Sequence, residues 1–409
     1  GICMQIHDWK VRPMTWREKA VDFFALKKSI VALLIMVTLV GLGEKMAERF
    51  LPIYLLALGG GILSVGFLNG MDNLLSALYS FPGGYLSDRL GYKRALVVFN
   101  LVAMTGYLIV ILFPHWLAVI IGAAFFLSWS ALSLPATMTL VSRSLPLGKR
   151  TMGVSIHSLV RRIPMALGPV IGGVLIGLYG EKTGVRLAFV AAFLLGVVSL
   201  VLQQAMIEDD HKRGNAEKKP SRLWRFMSQD LRNLLVSDIL IRFAEQIPYA
   251  FVVIWCIKNN GISAVQFGLL TAVEMITAML VYIPVAYLAD RTTKKPFVLI
   301  TFLNFTLFPL FLLFSHSFSM MVIAFVIRGL KEFGEPTRKA LIMDLAPEDQ
   351  KAGVFGLYYL IRDVIVSVAA FAGGFLWQLS PAVNLLTATA CGVLGTLYFA
   401  IRGRDLKGS

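Results

Sequence analysis

Apolar runs of membrane-spanning length, separated by short polar breaks, recur along almost the whole chain. They cover residues 29–58, 63–86, 95–113, 117–140, 152–179 and 185–206; after a hydrophilic stretch, a second set covers 231–257, 263–288, 296–316, 319–342, 353–377 and 381–401. A hydrocarbon core of roughly 30 Å is crossed by about 20 helical residues, and within it every backbone N–H and C=O must be satisfied inside the segment. Each run is therefore predicted to be a helix, giving an all-α membrane protein with twelve transmembrane helices. The stretch 207–230 carries Asp209, Asp210, Lys212, Arg213, Lys218, Lys219, Arg222 and Arg225 with little to bury, and reads as a cytoplasmic linker. The division expected is a lead-in over 1–28, a six-helix bundle over 29–206, the linker, a second six-helix bundle over 231–402 and a tail over 403–409. The lead-in lacks the compact apolar core and small-residue cleavage site of a signal peptide, and reads as cytoplasmic. Gly1 in place of methionine reads as a start downstream of the native one.

The polar breaks set the orientation. One alternating set holds Arg89, Lys93 and Arg94, then Arg143, Lys149 and Arg150, then the linker, then Arg291, Lys294 and Lys295, then Lys351; the opposite set holds Lys182, Arg186 and Lys258. Positive loops remain in the cytoplasm, so both termini are expected there, in the plasma membrane. The runs also repeat. Asp88 and Asp290, and Asp72 and Glu274, lie 202 residues apart; Pro135 and Pro336, and Gly172-Gly173 and Gly373-Gly374, lie 201 apart. Met152-Gly153-Val154 returns as Ala352-Gly353-Val354, and Arg162 falls opposite Arg362 and Asp363. Six spans per copy is an even number, so the halves share one orientation and form two pseudo-symmetric six-helix bundles.

Composition agrees, with 57% hydrophobic and only 15% charged residues and a mean hydropathy of +0.73. A soluble globular domain of this size is excluded. The net charge of +15 resides in the breaks, where it serves topology, so the bilayer and not nucleic acid is the expected partner. Cys3, Cys256 and Cys391 form no CxxC pair and support neither a disulfide framework nor a metal site. No Ser-His-Asp set, zinc motif or phosphate loop appears at working spacing, so neither an enzyme nor a cofactor is expected. A monomer is expected.

The most specific stretch is Gly83-Gly84-Tyr85-Leu86-Ser87-Asp88-Arg89-Leu90-Gly91-Tyr92-Lys93-Arg94, between the second and third runs. It resembles the signature of the major facilitator superfamily at every defining position, and the second copy keeps Asp290, Arg291, Lys294 and Lys295. Gly168-Pro169-Val170-Ile171-Gly172-Gly173 is similar to the tail of a motif of the family's drug and proton antiporters. The resemblance implies rocker-switch alternating access, with spans 1, 4, 7 and 10 lining a central cavity. It also implies a cytoplasmic gate made by Gly83, Gly84, Asp88, Arg89, Gly91, Lys93, Arg94, Asp290 and Arg291. Physically, Asp88 suits the positive end of a helix dipole, Arg89 and Arg94 can reach carboxylates or helix C-termini across the seam between the halves, and the glycines allow a sharp turn.

Ionisable side chains inside spans cost several kcal/mol unless paired, hydrated or used, so they are the best clue to function. Glu44 and Glu48 lie one turn apart on the first span beside Arg49; the seventh carries Arg242 and Glu245; the tenth carries Arg328, Lys331, Glu332, Glu335 and Arg338. Arg161 and Arg162 lie on the fifth span, Arg362 and Asp363 on the eleventh, and Asp72 and Glu274 on the second and eighth. Glu44, Glu48 and Glu245 lead as proton carriers, followed by Glu332 and Glu335. The competing reading is structural pairing of Arg242 with Glu245, Arg328 with Glu332, Glu335 with Arg338 and Arg362 with Asp363. His157 one turn before Arg161 reads as a hydrogen-bonded core histidine, and Trp129, Tyr249, Trp255, Tyr282, Tyr358 and Tyr359 read as packing or pocket lining. The expected function is secondary transport of a small organic solute, with proton-coupled efflux first. Proton symport of an organic anion or zwitterion is the alternative, and a non-transporting receptor comes last.

Overall fold

The computed structural model of the chain describes residues 15–127, 129–130, 132–133, 137, 150–207, 220–347 and 351–405. Eight helices among them are long and apolar enough to cross a bilayer: Ile30–Glu48, Tyr92–Leu112, His157–Tyr179, Glu181–Met206, Ala264–Ala289, Lys295–Leu313, Gly353–Leu379 and Pro381–Arg402. Gln229–Tyr249 and Val252–Asn259 form a ninth span bent by 41°. The second span is Gly61–Leu90, the fourth begins as Trp116–Phe126, and the tenth comprises Phe318–Leu330 and Glu335–Leu345. Helices thus occupy all twelve predicted positions. Large apolar side chains such as Leu178, Leu280, Leu379 and Ile401 stand mostly exposed on the outer surface, as lipid-facing residues must.

Several spans are broken where a continuous helix is expected. The first runs as Trp16–Glu48, starting at a Thr15–Glu18 capping box inside the predicted lead-in, and restarts as Leu51–Ala57. The seventh breaks at Ala250–Phe251. Phe50 and Phe251, both fully buried, stand at the two breaks 201 residues apart, so the repeat extends to the kinks themselves. Pro52, Pro248 and Pro336 sit beside the breaks in spans 1, 7 and 10, where a missing N–H and a ring clash interrupt the ladder. The linker also differs in its last third: Leu223 and Met227 are buried in the apolar cluster of the second half with Leu231 and Phe302.

The halves meet along the fifth span against the eighth and the second against the eleventh. The repeated glycine pairs make this possible. A Cβ on Gly172 would lie 1.9 Å from the Met46 carbonyl of the first span, and one on Gly173 would lie 2.4 Å from the Ala264 carbonyl across the seam. In the copy, Gly373 abuts Ile247 and Gly374 abuts Gly66 across the seam. Gly173→Leu is therefore expected to prop this end of the seam apart and abolish transport. Gly177→Ala, whose Cβ would meet nothing nearer than 3.5 Å, should transport normally. Flux assays on the two variants check this; equal activity would mean that the seam need not close here.

Candidate transport cavity

A cavity of about 240 Å³ opens between the halves, with walls from spans 1, 5, 7, 8 and 10. Among the described residues its charged lining comprises Arg49, Arg161, Arg162, Arg328, Lys331 and Lys339 against Glu245, Glu274 and Glu332. The breaks put several of these there. Arg49 sits at the kink of the first span, and Lys331 and Glu332 sit in the non-helical turn of the tenth.

Ion pairs cross the seam at the cavity wall. Arg49 Nη1 donates to Glu274 Oε2 at 3.4 Å, and Glu274 also holds Arg328 at 3.5 Å and Lys331 at 4.0 Å. Arg162 Nη2 donates to Glu332 Oε2 at 3.2 Å, with its guanidinium 5.1 Å from the Tyr282 ring. Tyr249 lies between two guanidinium groups, Arg49 at 5.5 Å and Arg328 at 5.4 Å from its ring centre, a cation–π arrangement. Glu245 accepts from Arg242 at 2.6 Å and from Lys331 at 2.8 Å. The Arg328–Glu332 pair is not formed, because the helix ends at Leu330 and the i,i+4 register is lost over the turn that follows. Glu245 with Arg242 forms as expected, as do Glu335 with Arg338 and Arg362 with Asp363.

Beside the cavity lies a second cluster, centred on Asp238, a residue that sequence reasoning missed. Asp238 is 1% exposed; its Oδ2 accepts from Arg338 at 2.6 Å, Tyr358 at 2.9 Å and Arg362 at 3.4 Å. Glu335 accepts twice from Arg338, at 3.1 and 2.8 Å, and from Arg242 at 3.2 Å. With Asp363 on Arg362 at 2.8 Å, three carboxylates meet three guanidinium groups. The available signal was Asp238 one helical turn before Arg242.

The first half is different. Glu44 is 5% exposed and accepts from Ser130 at 3.1 Å, with Lys45 3.8 Å away. Lys45 bonds Glu48, and Asp72 has Ser76 at 3.4 Å. Glu48 and Asp72 line a smaller cavity of about 40 Å³. The repeat makes the contrast sharp. Glu245 and Glu274, the counterparts of Glu44 and Asp72, are each held by two or more cations, whereas Glu44, Glu48 and Asp72 have only Lys45 within ion-pair distance among the described residues. His157 is fully buried and, among the described residues, neither ring nitrogen has a hydrogen-bond partner, contrary to expectation. Trp129 packs away from the cavity, bonding Asn100 at 2.7 Å.

At the signature loop, Gly91 has φ 86°, the sharp turn predicted between the second and third spans. Asp88 falls in the last turn of the second span, so it precedes the turn and does not start a helix; its side chain and that of Asp290, and the exposure of Gly83 and Gly84, lie outside the described set. Lys93 donates to the Gln204 carbonyl at 3.3 Å and Gln203 to the Lys93 carbonyl at 2.7 Å, contacts within one half. Arg291 stacks 4.2 Å from the Tyr287 ring centre, Lys294 bonds Asp344, and Lys295 bonds the carbonyls of Ala400 and Gly403. Arg89 and Arg94 also have partners.

The sequence model of the family described as Major Facilitator Superfamily matches residues 33–251 and 234–409. The MFS-type transporter MJ1317 of Methanocaldococcus jannaschii is 20% identical over 372 residues, 87% of this chain and 90% of that protein. The quinolone resistance protein NorA of Staphylococcus aureus is 27% identical over 154 residues, 37% of this chain and 40% of NorA. Among solved structures, the nucleoside transporter NupG superposes with a TM-score of 0.77 at 11% identity, covering 92% of this chain and all of that one. A peptide transporter POT in complex with sulfate gives 0.75 at 15% identity, over 92% and 93% of the two chains.

Proposed function

We propose that this chain, which belongs to the Major Facilitator Superfamily and is a multi-pass membrane protein for secondary transport, carries a small organic anion or zwitterion by proton symport across the plasma membrane. The observation that carries this reading is the cavity lining, six cationic residues against three carboxylates. Such a site attracts negative charge and repels a simple organic cation. The membrane potential gives the coupling its reason: each elementary charge moved against 100 mV costs about 2.3 kcal/mol, so accumulating an anion in a negative interior requires a cation to travel with it. Glu44 and Asp72, with few counter-ions, are the proposed proton carriers together with Glu48. Glu245, Glu332 and Glu335, each already on a cation, serve in this reading as parts of the wall and gate.

Cytoplasmic termini, a monomeric state and gating by the Gly83–Arg94 loop belong to the same proposal. Export by proton antiport is the second reading, supported by Gly168–Gly173 and by the partial similarity to a quinolone resistance protein. Proteoliposomes separate the two. With a panel of labelled small carboxylates, an imposed inward proton gradient should drive uptake, and Glu44→Gln and Asp72→Asn should remove the effect of the gradient while leaving substrate exchange. Extrusion under the same gradient would establish the antiporter, and flux indifferent to it would reject proton coupling.

A further inference from the structure

Arg161 and Lys339 are set apart from the other cavity cations. Arg49 and Arg328 are held by Glu274, Arg162 by Glu332 and Lys331 by Glu245. Among the described residues, Arg161 and Lys339 have neither a hydrogen bond nor an ion pair within 4.0 Å. Their opposite charges act from farther off, Glu44 on Arg161 and Glu335 and Glu332 on Lys339. The two belong to different bodies: Arg161 is on the fifth span of the first half, and Lys339 on the tenth span of the second, where it stands exposed to the cavity.

A cation in a half-dehydrated cavity with no counter-ion within ion-pair distance is costly to keep, and a second such cation lining the same cavity raises its positive potential further. Charge-assisted hydrogen bonds to an anionic ligand relieve both terms at once. We propose that the anionic group of the substrate, a carboxylate or an oxyanion of similar size, docks between Arg161 and Lys339 and is the counter-ion both lack. The inference rests on the reading of the protein as an anion carrier. It also explains why substrate binding would drive the cycle. The two cations move with opposite halves, so an anion held by both binds more tightly where the halves draw together, and it shifts the conformational equilibrium by that difference in affinity.

The test uses purified full-length protein in detergent at low ionic strength, with sulfate and benzoate as probes and sodium chloride matched for ionic strength. Thermal shift against probe concentration gives the affinity. Both probes should stabilise the wild type beyond chloride. Arg161→Gln and Lys339→Gln should each weaken binding by at least roughly tenfold, as expected when one hydrogen bond to a charged group is lost. Neither substitution orphans a paired carboxylate, so both variants should fold with wild-type far-ultraviolet circular dichroism. Lys258→Gln, on the Glu181 pair outside the cavity, should bind as wild type. If sulfate or benzoate binds and the Arg161 and Lys339 variants match the wild type while Arg328→Gln does not, the anion site lies at Glu274's cations and the proposal is wrong although the anion reading stands. If no anion shifts the wild type beyond chloride, both fall.

Discussion

Replacing Asp238 by asparagine is expected to cost about 3–5 kcal/mol of folding free energy, the range for removing one member of a buried ion-pair group. Asp238 is the acceptor around which Arg338, Arg362 and Tyr358 converge, with Arg242 at 3.8 Å. Arg338 itself is 0% exposed and has no route to water. An amide still accepts a hydrogen bond but leaves three guanidinium groups with Glu335 and Asp363 alone. The expected result is a large drop in the melting temperature of purified protein and a fall in yield. Asp363→Asn provides the contrast: its carboxylate is 31% exposed and, among the described residues, pairs with Arg362 alone, so its loss should cost less than about 1 kcal/mol. The pair Asp238→Leu with Arg338→Met should be more stable than Asp238→Asn, because removing both partners leaves no orphaned charge on either. A melting curve for Asp238→Asn that overlays the wild type would mean that the cluster contributes nothing to folding.

Glu274→Gln is expected to shift the equilibrium between the two access states by at least roughly thirtyfold. Glu274 is 1% exposed and, among the described residues, is the one carboxylate that holds a first-half cation, Arg49, together with two second-half cations, Arg328 and Lys331. Truncating a buried charged pair costs about 2–5 kcal/mol, and about 1.4 kcal/mol corresponds to a factor of ten. The loss falls on the state in which this end of the seam is closed, since only there do the three cations converge. Spin labels at Leu63 and Leu379, exposed positions on the second and eleventh spans, report the separation of the halves. The variant should show mainly the longer distance. Arg49→Gln should move the distribution less, because Glu274 keeps Arg328 and Lys331. Unchanged distances in Glu274→Gln would rule out the tether.

The twelve spans, the duplication and the family were legible in the residues. Apolar length and loop charge are one-dimensional properties that the bilayer enforces without regard to packing. Landmarks such as Gly172-Gly173 and Gly373-Gly374 showed the repeat because each copy solves the same problem of close helix approach. The kinks were harder to read: Phe50 and Phe251 sit inside apolar runs that predict unbroken helices, and the prolines nearby mark only an approximate place.

The choice of partner for each charge was not legible. Short sequence separation correctly paired Arg242 with Glu245, Glu335 with Arg338 and Arg362 with Asp363. It misassigned Arg328, whose carboxylate is Glu274 on another span, and it passed over Asp238, whose importance comes from residues about 100 and 124 positions away. Sequence alone determined that this is a duplicated helical membrane protein with charges that must be shielded from lipid, because hydrocarbon penalises exposed polar groups wherever they fall. Only the tertiary structure decided which of those charges neutralise one another and which, like Arg161 and Lys339, line the cavity without an ion pair among the described residues. Electrostatic pairing depends on distances of a few ångströms between spans, and these arise only when the two halves pack.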